Sequence, residues 1–177
     1  GIFARGPMKV MGEYSGGQYE ASQTVSQMNF DTKTGYVEIG YFITGEKYAD
    51  SYKNGVFGGF KPKNNFDLDK GDLGAIELAF RAEGYRVDDT SYTGSASSRF
   101  QGTLSGPTGS GVTSKATTYT AGIRWLLNPN AVVKVNYAYT KLGNNYAPID
   151  LEQSSGAVNS ADVGAESLFM TRLQYMF

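Results

Sequence analysis

Lys9, Arg81, Arg124, Lys134 and Arg172 each sit in a segment where apolar and polar residues alternate, and each falls on the polar side. Fixed guanidinium and ammonium groups on a shared polar face replace part of an anion's hydration shell and repel cations. The competing reading is that these bases pair with Glu13, Glu38, Glu77 and Glu83, which fall on the same side, and merely stiffen it. Arg81 is two residues from Glu83 and four from Glu77, which favours a structural role; Arg124 and Lys134 have no obvious acidic partner on their own segments. Lys53, Lys61, Lys63 and Lys70 crowd one stretch, Glu46–Leu73, and join the set only if that stretch lies against the same face. Otherwise they are solvated surface charge.

Other chemistries find little support. The sequence holds no His and no Cys, so a Ser-His-Asp triad, a His-based zinc site or a disulfide framework cannot be built from it. No catalytic residue, metal ligand or cofactor is assigned, and an enzyme is not expected. "GPTGSGVTSK" has the glycines of a phosphate-binding loop but lacks the Lys-Ser/Thr after the second one and any strand-to-helix context. "DLDKGD" at Asp67–Asp72 alternates carboxylates before a glycine, yet lacks the distal bidentate Glu of a calcium loop. With 16 basic and 17 acidic residues the chain has no global pull toward nucleic acid.

The elements that must position the bases are strands. Six segments alternate with period two, each near the 9–11 residues that a tilted strand needs to cross a bilayer. They are about Arg5–Tyr14, Gly35–Gly45, Gly74–Tyr85, Thr117–Leu127, Val132–Lys141 and the terminal "ESLFMTRLQYMF". Met8, Val10, Val37, Ile39, Ile76, Phe80, Ile123, Trp125, Val133 and Val135 share the apolar side, and Phe42 breaks the pattern of its segment. A mean hydropathy of -0.35, with no apolar run near 18 residues, argues against a transmembrane helix. It leaves a membrane β-barrel open, because lipid-facing residues there are diluted one-to-one by polar ones.

Asn128–Asn130, "NPN", reads as a tight turn, whereas Thr90–Ala116 and Leu142–Glu166 read as long polar loops. Short turns at one end and long loops at the other fit a barrel wall of outer-membrane type. With the C-terminus on the periplasmic side, both long loops are extracellular. Glu46–Leu73 then falls on the side where turns are short. Either it folds into the lumen or it hides two more strands around "NGVFGGFKP"; Pro62 and the poor alternation favour the lumen. Six strands fall short of the usual minimum of eight. The chain, which opens without an initiator Met or a signal peptide, is therefore expected to be the C-terminal part of one larger barrel domain, residues 1–177.

"YVEIGYFITGEKY", "GVFGGFKPKNNF", "GDLGAIELAFRAEGYRVDD", "RWLLNPNAVVKVNYAYT" and "LFMTRLQYMF", in that order, resemble the C-terminal part of the phosphate-selective porin O and P family. One departure is Ile76, where the family commonly has Trp. The resemblance implies a sixteen-stranded barrel in the bacterial outer membrane, usually a homotrimer, passing anions such as phosphate or polyphosphate. It also implies contact with outer-membrane lipid and lipopolysaccharide. Lys9, Arg81, Arg124, Lys134 and Arg172, with Lys53, Lys61 and Lys63, are the candidate pore-lining, anion-binding residues. The ending "RLQYMF" resembles the signal read by the barrel-assembly machinery, with Leu173, Tyr175 and Phe177 as its apolar and aromatic positions. Two alternatives remain: a general porin of the same fold, and a soluble β-sandwich that stacks sugars on its many tyrosines.

Overall fold

The computed structural model describes residues 1–23, 26–54, 56–94, 115–146 and 163–176. They form an all-β, antiparallel structure. Seven strands make one open sheet: β1 (Ile2–Arg5), β2 (Met8–Gln23), β3 (Ser26–Phe42), β6 (Ala75–Gly94), β7 (Lys115–Asn128), β8 (Ala131–Tyr146) and β9 (Val163–Tyr175). They pair in chain order, β1-β2-β3-β6-β7-β8-β9, as a meander. Between β3 and β6 lie a 3-10 turn (Tyr48–Ser51) and a separate ribbon of β4 (Tyr52–Lys53) and β5 (Val56–Phe57).

Each of the six alternating segments lies mostly in a long strand, with corrections at the ends. The second does not reach Gly45: its strand ends at Phe42, and Gly45, at φ 83, closes a turn on the Phe42 carbonyl. The first segment does not run unbroken from Arg5: Gly6, at φ 57, turns the chain back, so Ile2–Arg5 is a short strand pairing with the start of β2. Alternation marks only the apolar-faced part of most strands. β2 continues to Gln23 and β3 starts at Ser26, through residues such as Ser15, Gly16 and Gly17 that carry no hydrophobic signal. Residues 90–94 and 142–146 likewise belong to β6 and β8, so the two polar loops are shorter than their composition suggests. Residues 95–114 and 147–162 fall outside the described part. The Asn-Pro-Asn turn is closed by Asn128, whose Oδ1 accepts the amides of Asn130 (2.8 Å) and Ala131 (2.9 Å).

Register joins the alternation of single strands into two continuous faces. Val10, Ile39, Phe80, Ala121, Tyr137 and Phe169 are consecutive partners across six strands and form one apolar row. Tyr41, Leu78, Ile123 and Val135 form the next row on that face. Leu173 is 75% exposed there and Phe169 68%. An apolar surface this broad requires an apolar surrounding, because water would drive the sheets together.

The buried cluster lies on the opposite face and comprises Phe42, Tyr48, Phe60, Ala75, Leu126 and Val132, with Phe57 packed against it. Residues 43–74 therefore fold back over the polar face instead of adding strands to the sheet. Phe42, fully buried, is the reason its strand breaks alternation: its ring is 4.9 Å from Tyr48 and 5.0 Å from Phe60. The connection also grips the other side of the strand ends. Phe66 meets the Trp125 ring edge-on at 5.3 Å, and the indole N–H donates to the Leu73 carbonyl at 2.6 Å.

Candidate functional site

All five strand-borne bases share the polar face. Phe42, Glu77, Arg124, Lys134 and Arg172 are consecutive partners in one row; Lys9 and Gly40 lie in the next, and Glu38 and Arg81 in the one after. Strand spacing puts directly opposed side chains within about 5 Å of each other, so each row is a contact set.

Three of the five are held by carboxylates. Glu77, buried at 4% exposure, binds the Arg124 guanidinium through one oxygen and accepts the Tyr48 hydroxyl on the other. Arg124 also lies over the Phe60 ring at 4.6 Å and the Phe42 ring at 5.6 Å. Lys9 Nζ is 2.7 Å from Glu38 and 5.4 Å from the Tyr48 ring centre. Arg81 pairs with Glu83 at 2.8 Å and Glu38 at 3.8 Å, and stacks over Tyr36 at 3.8 Å. Arg81 was expected beside Glu77 and Glu83; the structure pairs it with Glu83 and Glu38, and Glu77 goes to Arg124 instead. Arg124 has an acidic partner after all, one strand away, where spacing along a single strand cannot reveal it.

Lys134 and Arg172 stand differently. They face each other across β8 and β9 with no ion pair to either among the described residues. Like charges directly opposed are unfavourable unless an anion or solvent lies between them. Gln174 and Asn136, on the same face, supply neutral polar groups beside them.

The connection rests on this face through Tyr48. Gly40 makes room for it: a Cβ at position 40 would strike the Tyr48 hydroxyl. Burial pushes the Tyr48 phenol well above its usual range, and the Glu77 carboxylate adds to the rise, so the hydroxyl stays a donor. Lys61 and Lys63 are exposed and line a cavity of about 470 Å³ with Glu46, Asp50 and Phe60. Glu46, buried, accepts the Lys63 amide at 3.3 Å and the Thr44 hydroxyl, fixing the start of the connection. Lys53 is in β4. Lys70 instead pairs with Asp67 at 2.8 Å in an exposed turn, and that ammonium holds the Asp67 carboxyl below its usual range. Asp67 Oδ1 further accepts the Asp69 amide at 3.1 Å, so the carboxylate serves the turn.

Leu173 and Tyr175 lie exposed on the apolar face; Phe177 lies outside the described residues. Tyr48, Gly40, Phe42 and Glu46 did not stand out as site residues in the sequence. The available signals were the alternation break at Phe42 and a glycine, Gly40, inside a strand.

A family model described as "Phosphate-selective porin O and P" matches residues 1–177, the whole chain. No curated protein matches it.

Proposed function

We propose, from the premise that the chain belongs to the phosphate-selective porin O and P family, that its polar face lines a water-filled pore through which anions pass passively. The family is one of channels rather than enzymes, and membership implies a bacterial outer-membrane setting. The apolar face then meets lipid, and the open sheet forms part of a larger barrel, since the six long strands among the described residues are too few to close one. The docked connection narrows the pore. The single observation that carries the anion reading is the opposed Lys134–Arg172 pair, which has positive charge and no carboxylate ion pair among the described residues.

At an effective dielectric near 20, one such charge about 4 Å from a passing anion is worth roughly 4 kcal/mol before screening, and far less in a wide, wet pore. Lys134→Ala with Arg172→Ala is expected to lower the anion/cation permeability ratio several-fold, most strongly at low salt. Reversal potentials of single channels in a salt gradient measure it. An unchanged ratio makes the pair part of the wall and favours a general porin. That second reading draws on a specific observation: Lys9, Arg81 and Arg124 are each neutralised by a carboxylate.

A further inference from the structure

The polar face is not polar throughout. On β9 the residues that share it with Arg172 include Gln174, Met170 and Leu168, whose partners on β8 are Val132, Asn136 and Ala138. The strip along these two strands changes character in one direction. Val132 is buried in the cluster beneath the connection. The Lys134–Arg172 pair comes next, then Asn136–Met170, then Ala138–Leu168, and Thr140–Glu166 closes the strip with a hydroxyl and a carboxylate.

Met170 is 43% exposed and Leu168 53%. Apolar side chains scattered singly over a wet surface need no explanation, but these two are successive on one face. They also begin directly beside two bases that have no ion pair among the described residues. Their partners on β8 leave them open. Gly122 has no side chain, and a Cβ there would strike the Asn136 Oδ1, so the Asn136 amide lies toward β7 and away from Met170. Ala138 offers only a methyl group against Leu168. At about 3.3 Å per residue, the apolar shelf runs roughly 13 Å from Arg172 to Leu168, with Met170 midway.

Resting on the anion-channel reading above, we infer that the Lys134–Arg172 site takes small amphiphilic anions, a charged head on a short apolar tail. The head sits between the two bases, where it relieves their mutual repulsion. The tail lies along Met170 and Leu168, and the Glu166 carboxylate ends the shelf. An inorganic anion uses the bases alone. A cation with the same tail meets Lys134 and Arg172 and is repelled.

Full burial of one methylene is worth about a fourfold gain in affinity, and a shelf that covers one side gives about twofold. The probes are acetate, hexanoate and hexylammonium at neutral pH, each added to the natural protein in a planar lipid bilayer. The reading is the concentration that halves the chloride current. Hexanoate, with four more methylenes than acetate, is expected to act at roughly tenfold lower concentration, and hexylammonium more weakly than hexanoate. Met170→Thr with Leu168→Thr should bring hexanoate close to acetate while acetate block and open conductance stay as they were; Met170→Leu with Leu168→Met keeps the gap. Equal block by acetate and hexanoate, a gap untouched by the threonine pair, or hexylammonium as potent as hexanoate overturns the shelf. Permeability ratios on the same channels separate the two readings. A missing gap in a pore that favours anions overturns the shelf and leaves the channel reading standing; a tenfold gap in a pore without anion preference supports the shelf and overturns the anion reading.

Discussion

Glu77→Ala is expected to unseat the connection from the sheet at a loss of about 3–5 kcal/mol, the penalty for stripping a buried charge of its partner. The carboxylate is shared: its removal leaves the Arg124 guanidinium uncompensated and the Tyr48 hydroxyl without an acceptor at a site 4% exposed. Arg124 already has an Nε with no hydrogen-bond partner among the described residues, so it has little to fall back on. Denaturant unfolding in detergent measures the loss, and limited proteolysis within residues 47–62 reports whether the segment has come away. Glu77→Gln keeps an acceptor for Tyr48 but not the charge, and should fall between. A loss under about 1 kcal/mol, the scale of an exposed ion pair, with the connection still protected, would contradict the shared-carboxylate account.

Gly40→Val is expected to do comparable damage although valine is the better strand former. Propensity and packing oppose each other at this position. A Cβ there meets the Tyr48 hydroxyl, the Glu77 carboxylate at 2.9 Å and the Lys9 Cε at 3.3 Å, so added carbons fall into the centre of the network. Overpacking costs roughly 1–3 kcal/mol, with the Tyr48–Glu77 bond lost in addition. Strand content by circular dichroism should hold while the connection becomes protease-sensitive and pore conductance rises. Unchanged proteolysis and conductance would mean that Tyr48 has another way to seat.

The sheet was legible because alternation is a property of each strand alone. Val133, Val135, Tyr137 and Tyr139 announce β8 and its apolar face without reference to any neighbour. Pairing was not legible to the same depth. Arg124 and Glu77 are 47 positions apart and meet only because β6 and β7 align them, so a base judged by its own strand looked unpartnered. Pro62 and the poor alternation told against further strands in the sheet, but the anchor of this connection on the polar face is a contact between Phe42, Tyr48 and Phe60 that follows no period. Stretches such as Ser15–Gly17 fold as strand because their partners do. Nothing in their own side chains would say so.

The grip of the connection on both sides of the strand ends has a consequence for the order of assembly. Tyr48 finds Glu77 across 29 positions, yet Glu77 is complete only with Arg124, and the Trp125 indole reaches back 52 positions to the Leu73 carbonyl. The connection therefore cannot lock when β3 and β6 first pair; it must wait for β7, and until then the rings of Tyr48 and Phe60 lack the Leu126 and Arg124 side of their surroundings. Contacts that close long loops form late and leave apolar surface exposed in the interval. Seating is a final step that follows the wall, and the arrival of one arginine on a later strand serves as the latch.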